Sequence, residues 1–389
     1  MASGNHRERR TQFKHKRYCF AKIELLAVVS AVLKFQIKIM ELMEILKRAS
    51  DDHASDIFII TGAGLSYKTN NELKRIESEP LPPAETRRLV YDIYRLAGFR
   101  FDIDHMPIKE MDFSISVVGM GRFRANIYKQ RGSYAAVLRY VPFVLPDPVE
   151  LGIPEQVMRL STCKSGIVLL TGPAGIGKST TLACIIDRIN NERSGHIITI
   201  EDPIEFLHKH GKCIISQREI NIDTETYISA LRAALRQSPD VILLGEMRDY
   251  ETISVAMTAA ETGELVLSTL HTLGAANTID RIIDVFPINQ QHQIRIQLSM
   301  VLSAVVSQQL LPTVDGKLVP AFEIMTVNSA IRTLIRDEKT HQIDTVLQSA
   351  PGMQTMDNCI LKLFRDGVIS SETAVNYAYN PEIMQKRIL

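Results

Sequence analysis

GPAGIGKSTT, residues Gly172 to Thr181, follows the apolar run IVLL (Ile167 to Leu170) and opens TLACIIDRI (Thr181 to Ile189), whose apolar residues recur at helical spacing. The stretch fits G-x-x-x-x-G-K-[ST] at Gly172, Gly177, Lys178 and Ser179, and its strand-loop-helix context is the one the mechanism requires. Glycines let the backbone turn its N–H groups toward a phosphate, and the helix N-terminus adds its positive end. Lys178 neutralises phosphate charge and Ser179 offers a hydroxyl to Mg²⁺. The expected nucleotide cradle therefore runs through Gly172, Pro173, Ala174, Gly175, Ile176, Gly177, Lys178, Ser179 and Thr180, with ATP and Mg²⁺ as its ligands.

Around this loop, further apolar runs alternate with helical patterns. Ile197 to Ile200, Val241 to Leu244 and Leu265 to Leu270 read as strands. Tyr227, Leu231, Ala234 and Leu235, then Ile253, Ala256, Met257 and Ala260, read as helices. Continuous apolar strands between helices predict an α/β fold with a mainly parallel sheet covered on both faces. In such a sheet ligands bind at the carboxyl ends of the strands. That rule separates the acidic residues of DVILLGE: Asp240 precedes its strand and Glu246 follows it, about 20 Å away at the rise of an extended chain. Glu201 and His271 also follow strands directly. Glu246, Glu201 and His271 are thus the candidate catalytic side chains on the rim that carries Lys178.

Proline marks the joints. VPFVLPDPVELGIPE (Val141 to Glu155) holds four prolines and reads as a connector over 142–155. Before it, 40–141 reads as a smaller α+β domain, with strands at Asp56 to Thr61 and Phe113 to Val118 and a helix over Ala84 to Leu96. After it, 156–389 reads as the nucleotide-binding domain, ending in a mostly helical region that begins with a helix through Ile294, Leu298, Val301, Leu302 and Val305 and includes a hairpin-like stretch at Lys317 to Met325.

Lys+Arg 45 against Asp+Glu 44 leaves a net charge of +1, so no global field draws the chain to nucleic acid or an anionic surface. Basic clustering is confined to the first residues and there is no tryptophan, which argues against a nucleic-acid channel. The five scattered cysteines contain no CxxC pair and read as reduced thiols of a cytoplasmic protein. LLAVVSAVL (Leu25 to Leu33) is too short for a span of about 20 residues, so 1–39 reads as a basic and apolar extension without transmembrane insertion. GMGRF at Gly119 reads as a turn, and HKHGKC (His208 to Cys213) lacks a fourth residue spaced to complete a zinc site.

These residues together resemble the secretion ATPase superfamily: the PilT-like retraction motors and type IV secretion ATPases, the DotB type above all. GPAGIGKSTT matches Walker A, TIEDPIEF (Thr199 to Phe206) the Asp box, DVILLGEMRD (Asp240 to Asp249) Walker B and STLHT (Ser268 to Thr272) the His box. The resemblance implies a PAS-like N-terminal domain on a RecA-like P-loop core and a ring-shaped homo-hexamer recruited to inner-membrane secretion components. It implies that Glu246 positions the attacking water, with Glu201 as competing base or metal-side partner. It also offers Arg122, Arg124 and Arg139, from or near GRFRANIYKQRG, and Arg218 and Arg232 of the core as arginines that complete the charge balance. AIRTLIRD (Ala330 to Asp337) has Thr333 and Asp337 where retraction motors carry Asn and Glu. On that difference the expected function is a cytoplasmic motor powering type IV secretion, with pilus retraction, or a docking adaptor of negligible turnover, as alternatives.

Overall fold

The computed structural model describes residues 42–52, 54–69, 72–107, 109–141, 145–247 and 249–389, so the reading of 1–39 lies outside the described residues. The chain divides into two compact units, one up to residue 143 and one from residue 144.

In the first unit, helix α1 (42–51) precedes strands β1 (Asp56–Ile60), β2 (Gly64–Thr69) and β3 (Glu72–Pro80), then helix α2 (Pro83–Leu96) and strands β4 (Met111–Val117), β5 (Gly121–Gln130) and β6 (Ser133–Val141). They form one antiparallel sheet in the order β3-β2-β1-β6-β5-β4. Pro83 opens α2 at a position where its missing N–H costs nothing. The helix buries Leu89, Val90, Ile93 and Tyr94 against the sheet, with Leu42 and Leu46 of α1 in the same core. Strand β5 alternates: Phe123, Ala125 and Ile127 are buried, whereas Arg122 and Arg124 lie on the other face. This is the small α+β domain that the sequence pattern predicts and that the resemblance makes PAS-like. The glycine pair at Gly119 and Gly121 serves the β4–β5 hairpin, with Gly119 at φ +79°.

The second unit begins with α3 (Glu155–Met158) and β7 (Gly166–Thr171), the loop, and α4 (Lys178–Glu192). It continues through β8 (Gly195–Glu201), β9 (Cys213–Glu219), α5 (Tyr227–Ala234), β10 (Val241–Leu244), α6 (Tyr250–Thr262), β11 (Leu265–Leu270), α7 (Ala275–Asp284) and α8 (Ile288–Val301). The hairpin β12 (Leu302–Pro312) and β13 (Leu318–Thr326) and the helices α9 (Ser329–Arg336), α10 (Ile343–Ser349), α11 (Met356–Arg365), α12 (Ser371–Tyr377) and α13 (Pro381–Ile388) complete it. The seven strands run β13-β12-β7-β11-β10-β8-β9, all parallel except β13. This is the RecA-like core. Its β7 is buried along its whole length, with Ile167 and Leu169 entering the core under α5 to α8 and Val168 and Leu170 the core under α4. The last helices α11 to α13 pack a small core around Met356, Ile360 and Met384 against Leu311 of β12 and Ala321 of β13.

One reading is corrected. The helix expected to run through Leu302 and Val305 stops at Val301, and both residues belong to β12. The apolar spacing fits either period there; Val305 and Val306 are β-branched, and pairing beside β7 decides the outcome.

Candidate active site

The loop between β7 and α4 turns sharply at Gly172, which sits at φ +133° and where a Cβ would fall 2.4 Å from the Gln308 carbonyl oxygen. Gly177, at φ +87°, caps α4 in the left-handed region that glycine tolerates. Strand β12 fastens the loop from outside: Gln308 Nε2 donates to the Ile176 carbonyl at 2.7 Å and its Oε1 accepts from Thr181 Oγ1 at 2.9 Å. Lys178 is only 7% exposed and donates to the Gly172 and Pro173 carbonyls, both at 2.7 Å. Burial pulls its ammonium below the ordinary lysine range, while the Glu205 and Glu246 carboxylates oppose that shift. A buried cation aimed along a turned-in backbone fits a phosphate chain, as does the hydroxyl of Ser179 at the first turn of α4 for a magnesium ion.

A cleft of about 400 Å³ lies beside the loop. Ala174, Gly175, Gly177, Lys178, Ser179 and Thr180 line one side, and Glu201, Glu246 and His271 enter from the ends of three strands. Gly172, Pro173 and Ile176 contribute their carbonyls behind the lining. His271 Nε2 is 3.5 Å from Glu246 Oε2, with the carboxylate 14% exposed and the imidazole 56%. Asp240, at the opposite end of β10, accepts the His196 N–H at 2.7 Å and plays no part in the cleft.

Glu201 is held by Thr199 Oγ1, which donates at 2.6 Å, and by Gln217 Nε2 at 3.4 Å. Burial outweighs these bonds and pushes its carboxyl up to about 7. A carboxyl raised from 4.5 binds its proton more tightly in the folded protein, so its share of stability is complete below the ordinary value and is lost as pH rises through about 7. The melting temperature of Glu201→Gln is therefore expected to gain on the wild type as pH is raised from about 5 to about 8. Calorimetry checks this, and a difference between the two proteins that stays constant with pH would contradict it.

The two core arginines do not line the cleft. Arg218 on β9 donates to the Asp223 carbonyl at 3.3 Å, and Arg232 on α5 is 3.8 Å from Glu251. In the first unit, Arg124 is 4.0 Å from Asp112 and Arg139 is 3.0 Å from Asp56, while Arg122 shares the outward face of β5 with Arg124. His210 of HKHGKC has its Nδ1 occupied by the Ile215 N–H at 3.1 Å.

The sequence pattern left out several cleft residues. Tyr227 stands at the start of α5, where the Thr226–Ser229 capping box announces the helix but not its ring's destination. Gly245 makes room for it, since a Cβ there would meet the Tyr227 hydroxyl at 2.8 Å. Thr269 lines the cleft and donates to the Gly245 carbonyl at 2.6 Å. Gln308 carries no local signal, because it reaches the loop from a strand more than a hundred residues on.

Sheet order, glycine loop and buried lysine define a P-loop ATPase of the RecA-like kind. Residues 33–338 match the family described as Type II/IV secretion system protein, and the chain belongs to that family. It is 44% identical over 345 residues to the type IV pilus retraction ATPase PilT of Pseudomonas aeruginosa, covering 88% of this chain and 99% of that one. A crystal structure of the pilus retraction motor PilT with bound ADP superposes with a TM-score of 0.80 at 45% identity, over 88% of this chain and 98% of that one. The DotB ATPase of Legionella pneumophila superposes at 0.70 with 27% identity, over 86% and 94%.

Proposed function

We propose that this chain is a motor that hydrolyses ATP to retract a type IV pilus, working as a homo-hexamer against inner-membrane machinery from the cytoplasmic side. The observation that carries it is the near full-length similarity to PilT, at markedly higher identity than to DotB. This displaces secretion as the preferred reading. The difference at Thr333 weighs little against it: Thr333 is exposed on α9 and its hydroxyl bonds back to Ser329, while Ile331 and Ile335 supply the buried face. Among the described residues no helix is long and apolar enough to cross a membrane.

In this reading Gly172 to Thr180 hold the phosphates of ATP and Lys178 neutralises them. Ser179 ligates Mg²⁺, which when bound shields phosphate charge. Glu246 orients the attacking water and accepts its proton, with His271 beside it as the side chain that senses the terminal phosphate. Glu201, poised near neutrality, is the alternative proton acceptor. Arg122 and Arg124, with Arg139, Arg218 and Arg232 as further candidates, supply cations to the nucleotide of an adjacent subunit in the ring.

Imaging of fluorescently labelled pili in cells deleted for the chain tests the proposal. Pili are expected to extend normally and to fail to retract, and Glu246→Gln is expected to reproduce the defect. Normal retraction in the deletion strain, accompanied by loss of effector secretion, would return the protein to the secretion reading.

A further inference from the structure

His271 leaves β11 and enters a short turn, 272–274, before α7 begins. Gly274 is the N-cap of α7 and leaves the helix without a side-chain cap of its own. The cap comes from a distant strand: Glu323 of β13, 2% exposed, accepts the Ala275 N–H at 2.7 Å. The Met356 N–H at the start of α11 stands near enough to act on the same carboxyl group. Two helix N-termini thus face one buried carboxyl group, and their positive ends offset part of the cost of burying it, which still pushes the group up to about 7.

A second contact comes from the C-terminal helices. Tyr379, between α12 and α13, sets its hydroxyl beside the Gly274 amide and the Ser307 side chain, near enough for both to act on it. Its ring lies 3.6 Å from where a Cβ on Gly274 would be. Ser307 is in turn 2.7 Å from Thr171, the last residue of the strand that feeds the phosphate loop. Asp357 fixes the Tyr379 segment by accepting the backbone N–H groups of Tyr379 and Asn380, at 2.7 and 3.1 Å. Other charged groups beside this assembly are Asp344 and Asp357, both close enough to act on Glu323.

We propose that Glu323 and Tyr379 are positioning residues for ATP turnover: they pin the turn behind His271, and through it the C-terminal helices govern where that histidine stands relative to Glu246. The inference rests on the assignment of His271 to turnover made above. Neither residue touches the cleft, so nucleotide affinity is spared and the chemical step is not.

Steady-state kinetics and amide hydrogen exchange on the full chain test this. Glu323→Ala is expected to lower kcat by about ten- to a hundred-fold, as displacement of a catalytic group does, with KM for ATP nearly unchanged and faster exchange over 272–276. Glu323→Gln keeps an acceptor oxygen for Ala275 and is expected to restore most of kcat. Tyr379→Phe is expected to give a smaller loss with the same pattern, and it carries the test should Glu323→Ala fold poorly. Wild-type turnover in both Glu323→Ala and Tyr379→Phe beside an impaired His271→Ala overturns the proposal alone, as does lost turnover with unchanged exchange. Wild-type turnover in His271→Ala removes the assignment of His271 itself, and the proposal falls with it.

Discussion

Glu246→Gln is expected to bind ATP with Mg²⁺ about as tightly as the wild type and to release phosphate about 10²- to 10⁴-fold more slowly, the range for removal of a general base. The substitution is nearly isosteric, so the loop, Lys178 and Ser179 keep their places. What disappears is a carboxylate 14% exposed and 3.5 Å from His271, the group proposed above to take a proton and to order a water. Single-turnover phosphate release beside equilibrium nucleotide titration separates the two effects. Equal phosphate release by variant and wild type would mark the protein as a nucleotide-gated adaptor instead of a motor.

Lys178→Ala is expected to act one step earlier, on binding. A charge-assisted hydrogen bond to a phosphate contributes about 1.5–3 kcal/mol, so affinity for ATP is expected to fall about ten- to a hundred-fold or more. The variant also leaves the Gly172 and Pro173 carbonyls without the donor that draws them together, which loosens the cradle itself. Calorimetric titration of ATP in excess magnesium reads the change. Affinity within a factor of about two of wild type would remove the lysine from the phosphate site.

Much of this site could be read before the fold was known, and the reason is topological. In a parallel sheet every strand delivers its next residue to the same rim, so an apolar run followed by Glu201, Glu246 or His271 announces both the strand and where its side chain goes. The opposite placement of Asp240 follows from the same rule, and it lies with His196 at the other end of the sheet. Less was legible where pairing partners are remote. The edge strand β9 and the antiparallel strands β2, β3 and β6 have patterns too short or too mixed to stand out without their neighbours. Residues 302–305 satisfy helical spacing yet extend beside β7. Gln308 and Glu323 carry no local signal for a related reason: each acts on segments far away in sequence, and no local periodicity encodes such contacts.

Strand β7 sends alternate side chains into two separate cores and ends where the phosphate loop begins. Disturbance on either flank of the sheet therefore meets at one mechanical stem. Cavity-forming changes at Leu169 and at Leu170, though they empty different compartments, would be felt by the same glycine turn, and a tolerant surface on one side offers no insulation from damage on the other.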